Sequence, residues 1–144
     1  MKLVVGELLT PLRIDCVSSE GIKAWAKVLR DPNPIHFDAE VVVRKGWGDR
    51  VINQGVANLA YVISMLQQTL PDSFLESLDV RYVDNVFGGE AVEASGKVLA
   101  ITGNVMKTIT CEILLWSASR GPVITGTATL MTGGRSRKAG DLGG

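Results

Sequence analysis

The sequence predicts an α+β fold in which an antiparallel sheet wraps around one long central helix. Helical spacing of apolar residues dominates the first half of the chain, whereas strand-like alternation dominates residues 78–131. One segment, residues 56–66, is apolar on nearly every side, which is typical of a helix buried all round. We therefore expect a single domain over residues 1–132 and a flexible tail, rich in glycine and basic residues, over residues 133–144.

A short strand and a helix are the first predicted elements. The strand has apolar residues at alternate positions, namely Leu12, Ile14 and Cys16. Ser18 or Ser19 can cap the helix, whose apolar stripe consists of Ile22, Trp25, Ala26 and Leu29. The helix ends at Asp31-Pro32, because the residue before a proline disfavours helical dihedral angles. It therefore leads directly into a proline-rich loop.

The central helix is predicted to start at Gly55 and to end before Pro71. Gly55 has no Cβ, so a ligand can approach the backbone closely at this point. The free N–H groups of a helix start, together with the helix dipole, can stabilise an oxyanion.

Four strands follow, at about residues 78–82, 92–100, 109–115 and 123–131. Gly88-Gly89, Gly103-Asn104 and Arg120-Gly121-Pro122 separate them as turns. The expected arrangement is an antiparallel meander with one dry face, which the central helix covers.

The loop from Arg30 to Asp38 contains the only histidine of the chain, His36. Pro32 and Pro34 fix their own φ angles and exclude helical geometry at the residues before them, so the loop is stiff. Asp31 and His36 offer a carboxylate and an imidazole for proton transfer near neutral pH. The alternative is structural, since Asp or Asn before Pro often starts a turn and a lone His is often a satisfied core residue.

Composition excludes several classes of function. Fifteen basic and fifteen acidic residues cancel, so no overall charge attracts nucleic acid or an anionic membrane. With one His and two distant cysteines, Cys16 and Cys111, a metal site is not expected, and the cysteines are predicted to be buried thiols of a reducing compartment. The chain has no membrane-spanning apolar run and no signal peptide, which predicts a cytoplasmic location.

The string from Asp31 to Asp38 resembles the signature D-x-N-P-L/I/V-H-x-D of the MaoC-like (R)-specific enoyl-CoA hydratases and 3-hydroxyacyl-thioester dehydratases. The resemblance extends from about Val5 to Met131, with looser matches at Gly6-Glu7 and at residues 85–90. It implies the hotdog fold, in which a sheet wraps one long helix, and agrees with the predicted order of elements.

The resemblance further implies reversible hydration of trans-2-enoyl thioesters to (R)-3-hydroxyacyl thioesters, without a cofactor. Asp31 and His36 would be the catalytic pair, and the Gly55 N–H would bind the thioester carbonyl. Asn33 would brace the loop or orient His36, and Gln54 stands where many relatives have a histidine that shapes the substrate corner. The substrate carrier is coenzyme A or acyl carrier protein, and a homodimer is expected, although some relatives pair a catalytic subunit with a degenerate one.

Two other functions compete with this one. A thioesterase on the same fold usually has a carboxylate on the central helix, and residues 56–70 contain no Asp or Glu. A non-catalytic acyl-CoA-binding subunit would not need both Asp31 and His36. Near the loop, Arg44 and Lys45 can attract coenzyme A phosphates, and Trp47 belongs either to a flap over the ligand or to the core.

Overall fold

The computed structural model describes residues 2–133, so the predicted tail, apart from Gly133, lies outside the described residues. The elements are β1 (Leu12–Ile14), α1 (Ser19–Val28), a 3₁₀ turn (Pro34–His36), α2 (Ala39–Arg44), α3 (Gly55–Thr69), β2 (Ser73–Tyr82), β3 (Val92–Thr102), β4 (Lys107–Ser117) and β5 (Gly121–Thr132). This order confirms the predicted α+β class with a long central helix, α3.

The five strands form one antiparallel sheet in the order β1-β3-β4-β5-β2. The prediction of a simple meander is wrong for its first strand. β2 pairs with β5, with Tyr82 opposite Ile124, and β3 lies at the other side of the sheet between β1 and β4. Alternation along a strand shows which face is buried but not which strand is its neighbour. Residues 83–91 therefore cross from one side of the sheet to the other.

The core lies between the inner face of the sheet and one side of α3. Val62, Met65 and Leu66 of α3 are buried with the alternating residues Ile109, Cys111, Ile113 and Leu115 of β4. The expectation that the helix is buried all round is wrong for the single chain. Val56 remains 59% exposed and Ala60 is also exposed, because the sheet covers only one side of the helix.

Strand β1 is shorter than the alternation predicts, and it ends at Ile14. Cys16 lies beyond it and is exposed, whereas Cys111 is buried, so the prediction of two buried thiols is right for one cysteine only. Val17, the next residue, supplies the buried side chain at this point. Ser18 caps α1 as predicted, since its Oγ accepts the Gly21 N–H at 2.8 Å.

Two kinds of feature are missing from residues 2–133. None of their helices combines the length and the hydropathy needed to cross a bilayer. No group of three or more His, Cys, Asp or Glu side chains within the same range is arranged to hold a metal ion.

Candidate active site

The end of α1 fixes the position of Asp31. Arg30 has a left-handed backbone, with φ at 50°, and its N–H donates to the Lys27 carbonyl at 3.2 Å. The Asp31 N–H donates to the Ala26 carbonyl at 2.9 Å. This pair of bonds is the Schellman motif, which satisfies carbonyls at a helix end and turns the chain away from the axis. Asp31 is consequently the first residue of the loop and is held by the helix itself.

Side chains of the loop then hold its backbone. Asp31 Oδ1 accepts the Asn33 N–H at 2.9 Å, and Asn33 Oδ1 accepts the Ile35 N–H at 3.3 Å. Asn33 in this way caps the 3₁₀ turn that carries His36. Asp38 Oδ1 accepts the Glu40 N–H at 3.0 Å and starts α2. The polar residues of the signature are thus engaged in backbone contacts at each bend of the loop.

The structure brings Asp31 and His36 together. His36 Nε2 lies 3.2 Å from Asp31 Oδ2, and the two side chains are 9% and 32% exposed respectively. On the other side of the ring, His36 Nδ1 lies 2.6 Å from the Ile52 carbonyl oxygen. A carbonyl only accepts hydrogen bonds, so Nδ1 carries a proton, and Nε2 is the ring nitrogen that faces the Asp31 carboxylate.

Ile52 was not predicted as a site residue, because its contribution is a backbone carbonyl. Its N–H donates to the Ile35 carbonyl at 2.9 Å, so both of its backbone groups contact the histidine loop. Its side chain is buried with Val42 and Phe87, and Ile35 packs against them. This small cluster anchors the loop to the segment that leads into α3. Spacing alone offers no signal for such a role.

Gly55 is the first residue of α3, three positions after Ile52. Three residues span at most about 10 Å, so the start of α3 lies within about that distance of Ile52, whose carbonyl contacts the imidazole. Within residues 2–133 no acceptor is found for the Gly55 N–H, as expected at the first position of a helix. A Cβ built on Gly55 would lie 3.4 Å from the ring of Tyr82, the last residue of β2. Tyr82 therefore flanks the predicted oxyanion position.

Gln54 precedes Gly55 and is only 2% exposed. Its Nε2 donates to the Ile22 carbonyl at 2.9 Å, which ties the start of α3 to α1. Its Oε1 is buried and has no partner among the described residues. The predicted contribution of Gln54 to substrate fit stays a prediction, and the structure shows a contact between two helices.

A buried polar network beneath the helix start also went unpredicted. Asn53 Nδ2 donates to Asn58 Oδ1 at 2.8 Å, and both side chains are buried. Tyr61 belongs to the same network: burial raises its phenol pKa, and a hydrogen bond with Asn53 partly opposes that rise. Asn58 shares the buried side of α3 with Val62, and a polar residue on such a face is the sequence signal that indicates a network.

The segment after α2 is largely exposed. Trp47 is half-exposed, with Lys45 Nζ 5.0 Å from its ring centroid, so Trp47 is not a core residue. Arg44 contacts Glu40 at 3.9 Å on the surface. Gly48 allows the close approach of Phe87, since a Cβ there would lie 2.8 Å from a ring carbon. Whether this segment acts as a flap, and whether Arg44 and Lys45 attract phosphates, stay predictions.

In a comparison against known families, the model described as MaoC like domain matches residues 9–115. This chain belongs to the MaoC-like domain family. The resemblance inferred from the loop signature is confirmed. A curated relative of this MaoC-like chain is the mitochondrial 3-hydroxyacyl-[acyl-carrier-protein] dehydratase of Arabidopsis thaliana, 32% identical over 99 residues. The match covers 69% of this chain and 57% of that relative, so the chain spans little more than half of its length.

Solved structures confirm the hotdog fold. The ChsH1-ChsH2 complex of Mycobacterium tuberculosis contains a chain that superposes with a TM-score of 0.78 at 21% identity, covering 91% of this chain and 99% of that chain. The (R)-hydratase of A. caviae, described as involved in PHA biosynthesis, has a TM-score of 0.77 at 23% identity, with 89% and 96% covered. The R-hydratase PhaJ1 of Pseudomonas aeruginosa has a TM-score of 0.78 at 18% identity, with 90% and 82% covered.

Proposed function

We propose that this MaoC-like domain catalyses reversible hydration of trans-2-enoyl thioesters to (R)-3-hydroxyacyl thioesters, carried on coenzyme A or acyl carrier protein. The observation that carries the proposal is the contact of His36 Nε2 with Asp31 Oδ2 at 3.2 Å, while Ile52 holds Nδ1. Family membership supports a reaction of this class, and the name of the Arabidopsis relative describes a dehydratase of carrier-bound 3-hydroxyacyl groups.

Asp31 and His36 perform the proton transfers. In hydration, one of them takes a proton from water as the water oxygen attacks C3, and a proton is delivered to C2. Dehydration runs the same steps backwards. Because Nδ1 is held by the Ile52 carbonyl, proton exchange takes place at Nε2 and at the Asp31 carboxylate.

The negative charge that develops on the thioester oxygen needs a donor. The Gly55 N–H lies at the start of the 15-residue helix α3, and the helix dipole adds partial positive charge there. Preorganised donors of this kind stabilise the enolate-like transition state without reorganisation. Asn33 holds the 3₁₀ turn of His36 in place, and Gln54 holds the first residues of α3 against α1.

A second copy of the chain is the proposed partner. The open side of α3 exposes Val56, and edge strand β2 exposes Phe74 at 71%. An unpaired edge next to an apolar helix face suits association about a two-fold axis, which continues the sheet and covers the helix. The proposed enzyme is therefore a homodimer. A cytoplasmic location stays a prediction.

The test follows the loss of enoyl-thioester absorbance with crotonyl-CoA and with a carrier-bound crotonyl group. Asp31→Asn keeps the size of the side chain and an acceptor for the Asn33 N–H, but it removes the charge next to His36. We expect Asp31→Asn and His36→Ala each to lower the rate by about 10²- to 10⁴-fold.

Asp38→Asn is the matched control in the same loop, because Asn caps α2 as well as Asp does. It should retain the parental rate, and circular dichroism should show all three variants folded. Equal activity of Asp31→Asn and Asp38→Asn would refute the proposed acid–base role of Asp31. Release of free thiol would indicate a thioesterase instead.

A further inference from the structure

A buried carboxylate lies behind the segment that holds the histidine. The side chain of Glu90, between β2 and β3, is 2% exposed, yet it faces cations. Its Oε1 accepts a hydrogen bond from Arg120 Nε at 2.9 Å, and Arg50 Nη2 lies 3.9 Å away. Its Oε2 accepts the Phe87 N–H at 3.1 Å and the Ser117 hydroxyl at 3.3 Å. Every described polar contact of this carboxylate is thus with a donor.

Burial of Glu90 would by itself raise its pKa. Hydrogen bonds from Arg120, from the Phe87 N–H and from Ser119, together with the charge of Arg120, outweigh this effect and lower the pKa below its ordinary value. Glu90 is therefore a charged group inside the protein. Arg120 also stacks on the ring of Phe87, with its guanidinium carbon 4.0 Å from the ring centroid. Two separate contacts consequently fix Phe87 to the same ion pair.

Phe87 is the antiparallel partner of Ile52. The Gly88 N–H donates to the Val51 carbonyl at 2.9 Å, and the Asn53 N–H donates to the Val86 carbonyl at 2.7 Å. Backbone groups of an extended chain point alternately to opposite sides, so those of Ile52 point away from Phe87. They point to the histidine loop, where Ile52 accepts from His36 Nδ1 and donates to Ile35.

The contacts form a continuous path from Glu90 to the imidazole. We propose that the Glu90–Arg120 pair is a positioning device that fixes the Ile52 carbonyl and thereby the tautomer and orientation of His36. Glu90 and Arg120 act through the backbone of Phe87 and Ile52, and neither contacts the reacting atoms. The inference rests on the proposed function for its kinetic consequence, but its structural consequence at His36 is independent of any activity.

Glu90→Gln is the decisive variant. It keeps the shape and an acceptor oxygen for the Phe87 N–H, and it removes the charge that pairs with Arg120. Glu93→Gln is the matched control, since Glu93 pairs with Arg13 on the surface, with side chains 37% and 72% exposed. Arg120→Gln, at a partly exposed residue, provides a second variant in case Glu90→Gln does not fold.

His36 is the only histidine, so its imidazole ¹⁵N resonances can be assigned without ambiguity. In the parent protein they should show that Nδ1 carries a proton that donates to the Ile52 carbonyl. Glu90→Gln and Arg120→Gln should shift these resonances toward a mixture of tautomers and displace the pH profile of kcat. They should lower kcat by about 10- to 100-fold with little change in KM, as expected for small displacements of a catalytic group. Glu93→Gln should match the parent in all of these measurements.

Unchanged His36 resonances in folded Glu90→Gln or Arg120→Gln would overturn the inference, even if kcat falls. An inactive parent protein whose His36 resonances still respond to Glu90→Gln would support the positioning role and contradict the proposed reaction. Failure of the positioning role and failure of the proposed reaction are therefore distinguishable.

Discussion

Replacement of Gly55 by proline tests the proposed oxyanion donor with little disturbance of the fold. Gly55 is the first residue of α3, the helix position at which proline is best tolerated, since the N–H there has no partner within the helix. The preceding residue, Gln54, already has φ at −64° and ψ at 140°, which is the geometry that a following proline requires. Gly55→Pro therefore deletes one N–H group and leaves the helix in place.

Gly55→Ala is the matched control. Its new Cβ would lie 3.4 Å from the Tyr82 ring, which is ordinary van der Waals contact, and its N–H is retained. We expect the rate of enoyl-thioester hydration to stay of the same order in Gly55→Ala. In Gly55→Pro the rate should fall by about 10²- to 10³-fold, the loss of about 2.7 to 4 kcal/mol that follows removal of one preorganised donor.

The assay is the loss of enoyl-thioester absorbance, with thermal unfolding measured in parallel. Similar melting temperatures for the two variants would show that the helix tolerates both changes. If folded Gly55→Pro is as active as Gly55→Ala, the Gly55 N–H does not bind the thioester oxygen, and the reasoning from the helix start is refuted.

Two other predictions concern the cysteines and the assembly. Burial raises the pKa of Cys111 to about 11, so at pH 8 its thiolate fraction is about 10⁻³, while Cys16 is exposed. An aromatic disulfide reagent should react rapidly with one thiol in the native protein and with two in denaturant; two fast thiols in the native state would contradict this burial. Sedimentation at micromolar concentration should show a species of twice the 15.4 kDa chain mass, because the open face of α3 and edge strand β2 expose apolar side chains that a second copy would bury. A single species at the chain mass would refute the homodimer.

The conformation of the loop from Asp31 to Asp38 was largely predictable from sequence because its determinants are local. Prolines restrict the backbone between Asp31 and His36, and Asn33 caps its own turn, so few conformations remain. Apolar residues that recur every two positions likewise indicated most of the strands, and apolar residues that recur about every 3.6 positions indicated the helices. The limits of α1 and α3 also followed from local signals, namely a serine cap and the nearby prolines.

Features that depend on contacts distant in sequence were not predictable. Strand β2 pairs with β5, because neighbours in a sheet depend on the path of the connections. The exposed side of α3 includes the apolar residues Val56 and Ala60, and its buried side includes the polar residue Asn58, so composition alone could not distinguish the two sides. The carbonyl of Ile52 and the ion pair of Glu90 act on His36 through the backbone, which leaves no periodic pattern in the sequence.

The most direct test of the central claim is the product formed when the purified protein meets crotonyl-CoA, or the carrier-bound crotonyl thioester, in the presence of a thiol reagent. We expect loss of the conjugated enoyl absorbance without thiol release, and a 3-hydroxybutyryl thioester that chiral chromatography assigns as the (R) enantiomer. Unchanged absorbance with both carriers, or stoichiometric release of thiol, would contradict the central claim.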